Sequence, residues 1–214
     1  MATPGELVRT VAEALGIAEA TVVQYDRNLV AAGLRTKGGR GRSAAHVTSL
    51  DAANLLIAIG GSPMIGPSVK ETHNTCERYG TLTARERPPG FSKVMAQLPT
   101  FGKLAERHSL REAVAALIDS IAAGEFAPVP GEQSRFKSAW LSITFHGLSP
   151  WATILLNFRR AKGTLYYLEN DQFPPVELGY GQIRTFGFRI LGYVARLIGE
   201  EPKSELTTIP ARRP

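Results

Sequence analysis

Cysteine is almost missing: Cys76 is the only one in 214 residues. That excludes an internal disulfide framework and any zinc site built from several thiolates. Long apolar runs are missing too, none reaching the roughly 18 residues that cross a bilayer, so no membrane partner is expected. The opening MATPGELVRT lacks the basic-then-apolar order of a signal peptide, and its second residue is Ala, not the Gly of a myristoylation signal. A cytoplasmic, nucleoid-associated location is therefore expected. No Ser/His/Asp set, paired-acid pattern or Walker loop occurs, and Gly38-Gly39-Arg40-Gly41 has neither a strand before it nor the Gly-Lys-Ser ending of a phosphate loop. The expectation is a non-enzyme with no catalytic residues and no cofactor. His73 and Cys76 lie three apart, but with no second pair nearby they read as structural or surface residues, and no metal site is expected.

What is present is apolar material for real cores (43% hydrophobic against 21% charged) and a formal charge of +6 with pI near 9.7. This balance favours an acidic partner. The positive charge is concentrated in residues 35–48, RTKGGRGRSAAHVT, which hold four basic side chains and three glycines and no carboxylate. Residues 1–60 as a whole carry six basic and five acidic side chains, so any attraction to a polyanion rests on that segment.

Leu7, Val8, Val11, Ala14 and Leu15 recur at helical spacing behind Pro4 and Gly5, and a second helical pattern carries Val22, Tyr25, Leu29 and Val30 and ends at Gly33. Thr48-Ser-Leu-Asp51 has the form of a capping box with a short acid and opens a third helix, which Gly60-Gly61-Ser62-Pro63 should close. Glycine and proline then cluster at 60–66 and 84–92, placing 67–82 as an isolated helix on a connector. Ser109 and Glu112 form a true capping box for a helix over 109–123. Beyond it the period becomes two. Leu141, Ile143 and Phe145 alternate with Trp140, Ser142, Thr144 and His146, and turns at Gly147–Pro150 and Arg160–Gly163 give a three-stranded antiparallel meander, covered on one face by helices at 109–123 and about 182–198. The expected organisation is α+β: an N-terminal DNA-binding unit over 1–62, a helical connector over 63–100, an α+β oligomerisation or interaction domain over 101–200, and a flexible tail over 201–214.

Residues 11–25, VAEALGIAEATVVQY, place small Ala12 where two helices would cross, Gly16 at the turn, and Ile17, Val22 and Tyr25 in the crossing. This pattern resembles the helix-turn-helix of bacterial transcription regulators of the lac-repressor and MerR types. RNLVAAGL at 27–34 is similar to the end of recognition helices in winged-helix regulators, and the basic stretch follows where those proteins carry a wing. The aromatic of the MerR wing signature, the long heptad helix and the metal-sensing cysteines are all missing, so the resemblance covers only the DNA-binding module of residues 1–60. It implies a winged helix-turn-helix in which Glu19, Ala20, Thr21, Gln24 and Asn28 face the major groove, with Gln24 able to pair with adenine and Thr21 with a phosphate or base edge. Arg27 is placed at a phosphate or paired with a nearby acid, and Tyr25 in the core. Arg35, Lys37, Arg40 and Arg42 would lie on the phosphate backbone.

The expected function is sequence-specific, double-stranded DNA binding by a transcription regulator acting as a homodimer, with a possible protein partner on the C-terminal domain. The alternatives are a phage-type packaging component similar to small terminase subunits, or a regulator that senses a ligand among Trp140, Trp151, Tyr166 and Tyr167. Trp140 and Trp151 read first as packing or oligomer contacts, and Arg159, Arg160 and Lys162 as a solvated turn.

Overall fold

A computed structural model describes residues 2–36, 46–63, 66–85, 91–127, 140–147, 149–158, 161–170 and 183–199. Helices α1 (Pro4–Leu15), α2 (Glu19–Ala31), α3 (Ser49–Gly61) and α4 (Val69–Gly80) come first. The short strand β1 (Thr83–Ala84), two short helices α5 (Phe91–Met95) and α6 (Pro99–Gly102), and the long helix α7 (Leu110–Ala122) follow. Strands β2 (Trp140–His146), β3 (Trp151–Phe158), β4 (Ala161–Leu168) and β5 (Ile183–Gly187) then lead into α8 (Phe188–Ile198). The class is mixed α+β, with one antiparallel sheet in the order β1-β4-β3-β2-β5.

Four helices start at reciprocal capping boxes: Thr3 with Glu6, Thr48 with Asp51, Ser68 with Glu71 and Ser109 with Glu112. In each the hydroxyl accepts from the third backbone N–H while the acid accepts from the cap residue's own N–H, so two otherwise orphaned donors are satisfied. Hydrogen bonds from the cap residue hold Glu6, Glu71 and Glu112 below the ordinary 4.5. Burial pushes Asp51 up, but hydrogen bonds from Thr36 and Thr48 outweigh it and leave the carboxyl below 3.8. Folded-state values below the unfolded ones mean that the unfolded chain takes up more protons as pH falls. The boxes therefore contribute fully above these ordinary values and lose their contribution as pH drops through the folded ones. Thermal midpoints measured between pH 7 and pH 3 are expected to stay level and then fall below about pH 4.5.

Helix α3 is buried along its length from Asp51 to Gly60, as a helix apolar all round must be. It packs on α2, α4 and α7 and reaches β2 and β5. Gly60 and Gly61 belong to this helix and bring it close to its neighbours. A Cβ at Gly60 would stand 2.6 Å from the Phe145 ring, and one at Gly61 would stand 2.5 Å from Tyr79. The carbonyl of Ile59, near the helix end, accepts from Arg184 at 2.7 Å. Helix α4 is not the isolated connector helix expected: it buries Thr72, Thr75, Cys76 and Tyr79 against its neighbours. Among the described residues one hydrophobic cluster holds side chains from Ala2 to Ala195, with α1 on α8 and α3 on α7.

The meander β2-β3-β4 is present, with Leu141 opposite Leu156, Ile143 opposite Ile154, and Ile154 opposite Leu165. Two details differ from expectation. Ala161 pairs with Phe158 and Lys162 with Asn157, so residues 161–163 lie in strand β4 and not in a turn. Residues 183–187 form β5 beside β2 instead of the start of a helix, and α8 begins only at Phe188. The sequence IRTFG itself alternates, Arg184 and Phe186 turning inward and Ile183 and Thr185 outward. Helices meet the sheet through Phe145, Phe158, Gly163 and Phe186, which all lie on one face. On the other face Trp140, Lys162 and Ile183 are exposed, whereas Ser142 and Leu168 are buried.

Candidate nucleic-acid interface

Helices α1 and α2 are joined by Gly16, Ile17 and Ala18. Gly16 is left-handed (φ 67°), its N–H reaches Glu13, and the Ile17 N–H reaches the Ala12 carbonyl at 3.1 Å. Gly is the residue that takes this conformation without a Cβ penalty. Ala12, Val22 and Tyr25 are buried where the helices cross. Two helices joined by a three-residue turn result, and one side of α2 is left to solvent.

Of the residues expected to read DNA, Glu19, Ala20, Gln24 and Arg27 are exposed and Thr21 is half-buried. Asn28 is not available as a reader. It is buried, and its amide donates to the Pro67 carbonyl and to Thr72 Oγ1, both at 2.8 Å. The cause is α4, whose N-terminal turn packs on this side of α2 and takes the amide as its anchor. The Asn28 side-chain carbonyl accepts from Gln24 Nε2 at 3.1 Å, so Asn28 orients Gln24 instead of reading a base itself.

Arg35 also departs from its expected place on the phosphate backbone. Its side chain is 5% exposed, and Nε lies 2.7 Å from Asp26 Oδ1, although the pair is not aligned as a well-directed hydrogen bond. Burial raises the Asp26 carboxyl above its ordinary value, and the Arg35 charge partly offsets the rise. The chain turns inward here because Gly33 is left-handed (φ 74°), after which the Leu34 carbonyl accepts from Asn54 at 2.7 Å. Arg35 is thus a strut between α2 and the chain that leaves it.

Lys37, Arg40 and Arg42 lie outside the described residues, but both ends of their segment are placed. Thr36 N–H donates to Asp51 Oδ1 at 3.0 Å, and Thr48 donates to Asp51 Oδ2 from N–H at 3.0 Å and from Oγ1 at 2.8 Å. The Val47 N–H donates to the Ala2 carbonyl at 3.0 Å. One carboxylate therefore ties residue 36 to residue 48, and the basic segment leaves and returns at one point beside α2. This role of Asp51 was hidden in the sequence: its capping partner is three residues away and legible, whereas Thr36 is fifteen away and carries no signal.

Helix α2 brings no positive field of its own, since it carries Glu19, Asp26 and Arg27, with Asp26 taken by Arg35. Apart from Arg27, positive charge near α2 has to come from outside that helix. His73 and Cys76 do not form a ligand pair: His73 is exposed, whereas Cys76 is buried against the Asn54 carbonyl at 3.3 Å and its thiol is pushed up to about 12 by burial. Among the described residues no group of three potential metal ligands occurs, and no helix is long and apolar enough to cross a membrane. The four aromatics considered for a ligand pocket are divided between the sheet faces, with Tyr167 in the core against His108 Nε2 at 2.8 Å and Trp140, Trp151 and Tyr166 on the opposite side.

No protein-family model, curated protein or solved structure matches the chain.

Proposed function

We propose that the protein is a sequence-specific, double-stranded-DNA-binding regulator of transcription. In this reading α1 and α2 form a helix-turn-helix, the exposed start of α2 enters the major groove, and residues 37–47 act as a wing on the phosphate backbone. One observation supports it: Asp51 bonds both Thr36 and Thr48 and so holds the two ends of the basic segment together, where a linker would lead away. Exposed Gln24 and half-buried Thr21 supply groups able to read base edges, and glycines would let the basic segment approach phosphates closely. Pairing of two copies, with α2 helices about 34 Å apart, would match a palindromic site.

Asp51→Ala separates this reading from simple electrostatics. Removing a carboxylate beside a DNA-binding surface should tighten binding if only net charge mattered. Loss of the loop base instead predicts weaker duplex binding, measured at a temperature where circular dichroism shows the variant folded. Tighter binding by folded Asp51→Ala would remove the support for a wing.

A further inference from the structure

The polar side of α2 is joined to α4 by a chain of hydrogen bonds that can run in only one direction. The Thr72 hydroxyl donates its single proton to the Ser68 carbonyl at 2.9 Å, so toward Asn28 its oxygen is an acceptor. The Pro67 carbonyl is an acceptor as well, and both lie 2.8 Å from Asn28 Nδ2. Chemistry therefore fixes the Asn28 amide: its NH2 group faces α4, and its carbonyl faces Gln24, one helical turn earlier. Asn28 is 2% exposed and Thr72 1%, so water does not replace these partners. Turning the Asn28 amide over would set its carbonyl against that of Pro67 and leave a buried acceptor unpaired, which is costly. Gln24 meets the Asn28 carbonyl with Nε2 at 3.1 Å, and its own amide is thereby oriented. What Gln24 keeps for a partner in solvent is Oε1 and one N–H, side by side, and no other described residue takes them.

We infer, resting on the duplex-reading role proposed for α2, that Asn28 is a positioning residue that makes Gln24 a reader of adenine by fixing how its amide oxygen and nitrogen face the major groove. The edge of adenine offers N6–H and N7, a donor beside an acceptor, and the remaining Oε1 and N–H of Gln24 match them with two bonds. Guanine offers O6 and N7, two acceptors, and one of them would face Oε1. A freely turning glutamine amide lessens that penalty by offering both of its N–H groups, whereas one held by Asn28 has a single N–H left. Pro67 and Ser68, at the start of α4 and outside α2, thus take part in setting the base preference.

Duplexes selected from a randomised pool by the full chain give its preferred site, and Gln24→Ala, at an exposed position, marks the base pair that Gln24 reads as the one whose preference it abolishes. Wild type should favour adenine over guanine there by about 5- to 150-fold. Replacing that adenine by 7-deazaadenine, which carries carbon in place of the N7 acceptor, should weaken binding. Asn28→Ala should cut the adenine-over-guanine ratio about 2- to 10-fold and leave preferences at the other positions as they were, whereas a merely loosened fold would weaken binding to every duplex alike. In the Gln24→Ala background the same substitution should not alter the ratio. Should Asn28→Ala not fold, Thr72→Val removes only the hydroxyl that anchors Asn28 and should lower the ratio in the same direction. The inference is overturned, with the helix-turn-helix reading kept, by a selected site at which Gln24 prefers another base or marks none. It is equally overturned by full affinity for 7-deazaadenine, by a ratio that every folded variant of the two leaves unaltered, or by a change that persists without Gln24. Failure of the wild type to select any duplex overturns both.

Discussion

Arg35→Ala is expected to lower stability by about 2–4 kcal/mol and to leave the salt dependence of duplex binding unchanged. The guanidinium is nearly buried and is the charge facing the Asp26 carboxyl at 2.7 Å. Breaking a pair of this kind is costly mainly because the remaining charge stays in a poorly solvated place. For a chain of 214 residues this corresponds to a fall in melting temperature of about 4–16 °C. The pH dependence has a definite sign. Asp26 already sits above its ordinary value of 3.8 because burial disfavours its charge, and loss of Arg35 raises it further. A raised carboxyl binds protons more readily in the folded state, so the deficit of Arg35→Ala should be greatest at neutral pH and shrink as pH falls toward 5. Melts across that range check it. A variant of unchanged stability with a smaller salt slope would return Arg35 to the phosphate role suggested by its place in the sequence.

Phe145→Ala is expected to be still more damaging, at about 3–5 kcal/mol. Its ring is 2% exposed and sits where four elements meet. It lies edge-on to Tyr79 of α4 at 5.6 Å and to Phe186 of β5 at 5.5 Å, and against Gly60 of α3. Truncation leaves a cavity that these rigid neighbours cannot close. Gly60→Ala alone should also destabilise, by about 1–3 kcal/mol, because the new methyl meets the Phe145 ring. In the Phe145→Ala background the same methyl enters the cavity, so the double variant should lose less than the sum of the two single losses. Chemical denaturation of the three variants tests this, and strictly additive losses would contradict the close approach of α3 to the sheet.

The parts of the fold visible in the sequence were those governed by local rules. The boxes at Thr48 and Ser109, the turn at Gly16 and the alternation of β2 each depend on residues within a few positions of one another. Boundaries failed where two local signals competed. Gly163 suggested a turn, yet it lies in strand β4 because Phe91 packs closely on it. Gly60-Gly61-Ser62-Pro63 marked the end of α3, which does stop at Gly61, and the two glycines also let the helix approach Phe145 and Tyr79. The candidate site divided in the same way. Solvent exposure of Glu19, Ala20, Gln24 and Arg27 follows from helical period once Val22, Tyr25 and Leu29 are recognised as core. Burial of Asn28 and Arg35 does not, because it depends on Thr72 and Asp26, brought to them by tertiary packing. Asn and Arg near a recognition helix suggest base and phosphate contacts by composition, and the same groups serve equally well as internal ties.

The most direct test of the proposed wing is the salt dependence of duplex affinity for the wild type and for Arg40→Ala/Arg42→Ala. Each phosphate neutralised adds about 0.9 to the slope of log affinity against log salt. If both arginines lie on phosphates, the double variant should bind every duplex more weakly and show a slope smaller by about 1.8. An unchanged slope with unchanged affinity would contradict the account, because the charge near α2 that the proposal relies on would then not touch DNA.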